Sequence, residues 1–251
     1  MSTTPFVLAA RRNKPNPLVD GSPQSERGGS YGEAYVLSLV STKHLLADEG
    51  SYFTACMTPG QTPLAYGVSA VFSDTAAFIV IGNGNANGGP RVYPDYLKMN
   101  VSTAPASSTA AWMAAKVDNA NRTPTANFTK ISQNNGNMDV SLPSAASIWF
   151  PTGGTLTVPG PGASARLVFG NLALRTVLPT VNDEYVVSFG TVDYTQAENA
   201  AVATATAVKR QIAAPPVVIG GGQYLVLHLW FPSNAGTGAS FNSLEFGYWE
   251  R

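Results

Sequence analysis

Short β-rich segments, each bounded by turn-forming residues, constrain the fold of this sequence more than any other feature. SYFTACM, YGVSAVF, AAFIVIG and RVYPDYLKMNVS follow one another at intervals of about ten residues. Gly, Pro, Asn or Asp separates them, and the chain holds 24 Gly and 18 Pro. Regular short strands with such turns are typical of sandwiches and barrels. The pattern therefore predicts an all-β sandwich, which we expect to form a single domain over residues 31–251.

The first 30 residues have a different character from the rest of the chain. Prolines at this density prevent a helix and hinder a sheet. We expect residues 1–30 to form an extended N-terminal arm, either as a disordered tail or as a segment that orders against a neighbouring subunit. The arm contains Pro5, Pro15, Pro17 and Pro23, and a small basic cluster of Arg11, Arg12 and Lys14.

Several segments carry more specific signals. Residues 107–119 are Ala-rich, and residues 195–211 begin with a capping-box pattern, so both are candidate helices. Pro94 favours a sheet edge or a bulge, and Gly170 favours a bulge or corner. PPVVI and QYLVLHLWF, separated by three glycines, predict two paired strands. Residues 119–143 are Asn/Thr/Gly-rich and predict a long loop or hairpin.

The stretch GGGQYLVLHLWFPS, residues 220–233, is apolar on both faces of the strand that it predicts. Leucines and Phe231 alternate on one face, which can enter a core. The opposite face consists of Tyr224, Val226, His228 and Trp230. A sandwich buries one face of each sheet, so this second face needs a cover, either a loop of the chain or another subunit. Its His and aromatic residues also suit a sugar-stacking platform, a pH-sensitive contact or a second packing layer.

The charge composition excludes partners that are recognised mainly by electrostatics. Only 12% of the residues are charged and the formal net charge is zero, so we expect no direct nucleic-acid binding and no membrane binding. The single cysteine, Cys56, excludes an intrachain disulfide. The start of the sequence does not resemble a signal peptide, and no apolar run approaches the length of a membrane span.

Signals for catalysis are few. The two histidines, His44 and His228, are far apart, and no H-x-x-x-H or C-x-x-C pair indicates a metal site. GNGNANGGP lacks the residues of a phosphate-binding loop. The adjacent acids Asp48-Glu49 and Asp183-Glu184 point to opposite faces and are expected in solvated turns. We therefore expect no enzyme, no cofactor and no metal; a glycoside hydrolase with distant carboxylates is the remaining enzymatic alternative.

A likeness to a known class of protein rests on several stretches taken together. These are GGSYGEAYVLSLV, the TKHLLADEGSYFTAC segment with its expected strand, turn and strand, RVYPDYLKM, PPVVIGGGQYLVLHLWFPS and SLEFGYWER. In style and order they resemble virion structural proteins of tailed bacteriophages, in particular a β-rich head decoration or cement protein. The resemblance implies a sandwich of jelly-roll type that trimerises on the capsid lattice and carries no catalytic residue.

The functional hypothesis combines this resemblance with the uncovered strand face. We expect a non-enzymatic virion protein, made in the host cytoplasm and located on the capsid surface, that stabilises a bacteriophage capsid through subunit contacts. Its expected partners are further copies of the chain, as a trimer, and the major capsid protein. The alternatives are a carbohydrate-binding receptor-recognition module of a tail or fibre, and a jelly-roll coat protein. The candidate interface residues are Tyr224, Val226, His228, Trp230, Arg11 and Arg12.

Overall fold

The structure, a computed structural model, is nearly all β. It describes residues 42–57, 63–66, 70–105, 110–119, 122, 128–139, 142–151, 156, 165–175, 177–190, 207–232 and 239–251. Over these residues one helix, α1 (Thr42–Asp48), precedes fourteen strands. The strands are β1 (Tyr52–Cys56), β2 (Leu64–Tyr66), β3 (Ile79–Asn83), β4 (Val92–Thr103), β5 (Ala111–Asp118), β6 (Phe128–Ile131), β7 (Gln133–Asn135), β8 (Ala146–Pro151), β9 (Ala165–Arg175), β10 (Glu184–Phe189), β11 (Lys209–Ala214), β12 (Tyr224–Trp230), β13 (Ala239–Phe241) and β14 (Glu245–Glu250).

The strands form two sheets that pack face to face, which confirms the predicted all-β sandwich. The first sheet has eight strands in the order β11-β10-β4-β14-β1-β7, with β13 paired to β4 and β2 paired to β13. The second sheet has six strands in the order β6-β8-β3-β12-β5-β9. Side chains from the inner faces of both sheets belong to one buried apolar cluster, so the core lies between the sheets.

Four antiparallel pairs of strands are nested within one another along the chain. The outermost pair is β1 with β14, followed inward by β3 with β12, β4 with β10, and β5 with β9. The pairings β14–β4 and β12–β5 then join these pairs into the two sheets. Strands β6, β7 and β8 extend the sheets from the chain between β5 and β9, and β11 adds a parallel edge beside β10.

Alternation along the strands places the core residues as the sequence predicted. Leu225, Leu227 and Leu229 of β12 are buried in the core, and Phe246 and Tyr248 of β14 meet them from the other sheet. Strand β14 lies between β1 and β4 in the first sheet.

Two bulges lie where Pro and Gly predicted an irregularity. In the ladder between β4 and β14, Gly247 pairs with Tyr96 and Tyr248 pairs with Pro94, so Asp95 is the extra residue of a bulge. Strand β4 is central and not an edge; the bulge accommodates the missing N–H of proline there. The register of β9 against β5 also shifts around Gly170, between Phe169 and Leu172.

The described part of the candidate helix 107–119, residues 110–119, is not helical. Residues 111–118 form β5, a strand with hydrogen-bonded neighbours on both sides. Ala111, Met113 and Ala115 face the core, and the small side chains of the two alanines allow the sheets to approach. The intrinsic helix preference of alanine is worth less than this pairing and burial, which the local sequence does not reveal.

Three expected strands are also absent from the described residues. The stretch TKHLLAD is helix α1 and not a strand. Residues 215–218 of PPVVI are outside any strand, and Ile219 makes only an isolated bridge to Val92, because two successive prolines remove ladder donors. Of the described residues of YGVSAVF, Tyr66 belongs to a strand and residues 70–72 do not.

The unit Leu46–Arg251 is compact, whereas the described residues of the preceding unit are Thr42–Leu45, the first part of α1. The predicted boundary at residue 31, the arm, the segment 31–40 and residues 195–206 of the candidate helix 195–211 lie outside the described residues, and these stay predictions. The described end of that candidate helix is not helical, because residues 209–211 belong to strand β11.

The turn before β12 requires glycine at its centre. Gly222 has a φ of 72°, and a Cβ built on Gly221 would lie 2.0 Å from the carbonyl oxygen of Ala86. The backbone of this turn therefore lies against the loop between β3 and β4, where any side chain must displace it.

We expect Gly221→Ala to lower the free energy of unfolding by about 2 kcal/mol or more, because the new methyl group collides with backbone. Urea unfolding measures the change. Gly170→Ala is the matched control: its Cβ would meet only a leucine methyl group at 3.4 Å, so we expect about 0.5 kcal/mol or less. Equal losses in the two variants would contradict the close approach at Gly221.

Candidate functional site

The predicted interface residues on β12 are brought together, but the chain itself covers them. Val226 is 0% exposed, His228 1% and Trp230 8%, and Tyr224 is half-buried. The sequence left open whether a loop of the chain or another subunit covers this face. For Val226, His228 and Trp230 the cover is the chain itself, so the predicted contact with another subunit is not what buries them. Arg11 and Arg12, the other two predicted interface residues, lie outside the described residues.

The cover is the chain between β2 and β3, residues 70–78, together with Leu156. Ala77 and Leu156 form a second apolar cluster with Val226 and Val80, and Tyr224 packs against it. Phe72 lies over the other end of the face, with its ring centroid 4.9 Å from that of His228 and 5.9 Å from that of Trp230. We call residues 70–78 the cap segment.

A cluster of charged side chains fixes the cap segment to the outer face of the second sheet. The Asp74 carboxylate lies 2.7 Å from Lys116 Nζ, 3.3 Å from an Arg122 nitrogen and 4.0 Å from His228 Nε2. Arg122, which is fully buried, also pairs with Asp118 at 3.0 Å. Burial alone would raise the pKa of Asp74, but the hydrogen bond from Lys116 and the two cations hold it below its usual range.

His228 is a buried histidine that the fold keeps neutral. Its Nδ1 lies 3.2 Å from the carbonyl oxygen of Ala76 in the cap segment. Burial lowers its pKa, and the positive charges of Lys116 and Arg122 add to that effect against the opposing influence of Asp74 and the Ala76 carbonyl. The arrangement suits a packing contact that depends on pH.

Asp183 is the centre of another buried network. The prediction that it lies in a solvated turn is wrong. Its carboxylate accepts hydrogen bonds from Arg175 at 2.6 Å, the Tyr185 hydroxyl at 2.7 Å, and Thr180 and the Val208 backbone at 2.8 Å. Burial tends to raise the pKa of Asp183, but these donors lower it overall. The network ties the ends of β9, β10 and β11 together.

The outer face of the first sheet carries an aromatic surface that sequence analysis missed. Trp249 of β14 pairs directly with Tyr93 of β4 on one side and with Tyr52 of β1 on the other. The rings of Tyr93 and Trp249 are parallel, with 5.5 Å between centroids and 4° between planes. With Tyr96, these side chains are half-buried; we call Tyr52, Tyr93, Tyr96 and Trp249 the aromatic face.

Gly247 makes the aromatic face flat. A Cβ at Gly247 would lie 2.3 Å from the Tyr96 ring and 2.7 Å from the Tyr52 hydroxyl oxygen, so both side chains lie across its backbone. The Tyr52 hydroxyl donates to Asp95 at 2.8 Å, and the Tyr96 hydroxyl donates to Glu245. Burial, and then the adjacent carboxylate, raise the pKa of each tyrosine. Both phenols therefore stay protonated as donors.

The alternation in SLEFGYWER contained part of this signal. It places Glu245, Gly247 and Trp249 opposite the core residues Phe246 and Tyr248. What it lacked was the strand register, including the bulge at Asp95, that brings the tyrosines of other strands alongside.

Comparison with known proteins gives no relative: no family model, no curated protein and no solved structure matches the chain. Within the described residues, no three His, Cys, Asp or Glu side chains are grouped so that they could hold a metal ion. The helix in that part of the chain is too short to cross a membrane. The candidate sites described above are the outer face of β12, which the cap segment covers, and the aromatic face.

We expect acid to loosen the folded chain through His228. Its pKa is lower in the folded chain than in the unfolded chain, so its contribution to stability is present above about pH 6.5 and is lost as the pH falls below that value. His228→Gln, which does not titrate, should flatten the dependence of unfolding free energy on pH between 7.5 and 5. The natural chain is the control. Equal slopes in the natural chain and in His228→Gln would contradict this role.

Asp183 and Glu184, the adjacent acids at the start of β10, should differ sharply in their contributions to the free energy of unfolding. Asp183→Ala leaves the Arg175 guanidinium buried without its carboxylate, and we expect a loss of about 3–5 kcal/mol in unfolding free energy. Glu184→Ala should cost at most about 1 kcal/mol, since its contacts with Lys98 and Lys209 are 3.7 and 3.8 Å long. Chemical denaturation of both variants provides the comparison, and a larger loss from Glu184→Ala would refute the assignment.

Proposed function

We propose that the chain is a non-enzymatic virion structural protein with a jelly-roll fold, which assembles with copies of itself on a bacteriophage capsid. The observation that carries the proposal is the nesting of the pairs β1–β14, β3–β12, β4–β10 and β5–β9. A jelly roll arises when one long antiparallel hairpin of four such pairs wraps into two sheets. Viral capsid domains are among the main users of this architecture, along with lectins and cupins.

The charges of the described residues support a structural role over a catalytic one. Asp118, Arg122, Arg175 and Asp183 are all buried, and Arg122 and Arg175 each pair with one of the carboxylates. His228 contacts the cap segment that it holds in place. These groups stabilise the sandwich, which is what a shell subunit requires.

The chain itself covers the outer face of β12, so subunit contacts on such a particle would come from other surfaces, among them the loops and edges of the sandwich. Large apolar side chains are exposed on the cap segment, on the loop between β9 and β10, and on the edge strand β9. Burying them against neighbours would contribute about 25 cal/mol per Å² before the cost of association, repeated around the shell by symmetry. They include Val71, Phe72, Leu178, Val181 and Leu167.

The aromatic face favours a second function, a carbohydrate-binding module of a tail or fibre. The apolar C–H faces of a sugar ring pack well on flat aromatic rings, and its hydroxyl groups bond to carboxylates. Tyr96 laid over Gly247, with Glu245 beside it, offers such a combination. Lectin domains share the jelly-roll architecture, so the fold alone does not separate the two functions.

Oligomeric state and copy number test the proposed function. We expect the full chain to form a symmetric oligomer in sedimentation velocity, a trimer first, and to be present in hundreds of copies in particles that contain it, as counted by quantitative mass spectrometry. Deleting residues 1–30 should weaken attachment to particles and leave the circular dichroism of the sandwich unchanged. A handful of copies per particle, with binding on a glycan array, would favour the carbohydrate-binding module instead.

A further inference from the structure

We propose that the aromatic face binds the proline-rich basic segment, residues 5–17, of the N-terminal arm of a neighbouring copy. The inference rests on the proposed function, because it requires copies of the chain to lie side by side. It deepens that function by naming both sides of one subunit contact: the face on the first sheet and the segment PFVLAARRNKPNP.

The shape and chemistry of the face suit a proline-rich segment. Proline-rich peptides dock on surfaces lined by aromatic rings, because the stiff extended backbone loses little entropy and the pyrrolidine rings pack against the aromatic faces. Tyr93, Trp249 and Tyr52 lie in direct register across three strands, and Gly247 lets Tyr96 lie flat beside them. Such a row presents an aromatic surface that extends across adjacent strands.

The charges on and near the face give the segment an orientation. Asp95 and Glu245 lie beside Tyr52 and Tyr96. At the other end, Arg91 and Arg251 flank Tyr93 and Trp249, where their backbones are joined. The basic cluster of the segment would be repelled at that end and attracted to the carboxylates, which places its prolines on the Tyr93–Trp249 pair. The segment supplies both parts in order, with Arg11, Arg12 and Lys14 followed by Pro15 and Pro17.

The charges named on the outer face do not favour a basic ligand overall. Three carboxylates, Asp95, Glu245 and Glu184, stand against four cations, Lys98, Lys209, Arg91 and Arg251, and the two lysine ammonium groups lie 3.7 and 3.8 Å from Glu184. Glu245 is paired in the ladder with Lys98, so the attraction is local. We therefore expect aromatic packing to supply most of the affinity, and the charges to set direction and salt dependence.

The chain is long enough for the segment to reach a neighbour. Twenty-five peptide units separate Pro17 from Thr42, where the described chain begins, and a fully extended chain spans about 3.3 Å per residue, or roughly 80 Å. That length exceeds the diameter of a domain of this size, which is about 40 Å by its expected radius of gyration. Exchange of arms between copies then raises the effective concentration of every other contact.

Peptide binding to the full chain tests the inference directly. The receptor is the full chain with Arg11→Glu and Arg12→Glu, whose own arm is disabled, and the probe is a fluorescent peptide of residues 5–17. We expect saturable binding that weakens about tenfold or more in the additional variant Trp249→Ala. Trp112→Ala is the matched control, a half-buried tryptophan on the outer face of the second sheet, and should bind the peptide unchanged. Thermal melting of each variant verifies that it is folded.

A charge exchange tests the orientation. Glu245→Arg should weaken binding of the natural peptide, and a peptide with Arg11→Glu and Arg12→Glu should recover affinity for that variant. Absence of peptide binding, or equal affinity for the Trp249→Ala and control chains, overturns the inference. Sedimentation measures the self-association of the full chain separately. If the inference fails and the proposed function holds, the full chain still self-associates. Glycan-array binding that Trp249→Ala abolishes, without any effect on self-association, would assign the face to saccharides and also overturn the inference.

Discussion

The burial of both faces of β12 is the constraint on which the rest of the structure depends. A strand with leucines on one side and Val226, His228 and Trp230 on the other must lie between two apolar layers. The core of the sandwich supplies one layer. The cap segment supplies the other, and it can do so because the chain between β2 and β3 returns across the outer side of the second sheet.

Holding the cap segment in place requires charged side chains that are partly or fully removed from water. Apolar contacts alone do little to fix the position of the cap segment. The Asp74 carboxylate fixes it by forming ion pairs with Lys116 of β5 and with the buried Arg122. Removing charges from water is expensive unless they are paired. The pairing therefore specifies where the cap lies more than it adds to stability, and His228 beneath it makes the contact sensitive to acid.

Local patterns in the sequence predicted which residues face the core but not what lies across from them. Alternation located β12 and the leucines that enter the core, and Pro94 and Gly170 marked real bulges. The helix predicted over residues 107–119 failed because the helix preference of alanine is worth less than the pairing of β5 with β12 and β9 and the burial that comes with it. The cover of β12 and the aromatic face both depend on contacts between residues far apart in the chain, for which a single sequence has no signal.

The outer faces of the two sheets differ in how far the chain itself covers them. In the second sheet the chain itself covers the outer face of β12, whereas the first sheet presents the half-buried Tyr93, Trp249 and their neighbours. Among the described residues, four charged side chains are completely buried in pairs or networks, and the whole chain has only thirty charged residues. Against such a background, a few basic residues in an arm and a few carboxylates beside aromatic rings carry more weight than they would on a highly charged surface. Contacts between copies of this chain must therefore gain their direction from shape, aromatic packing and a small number of placed charges.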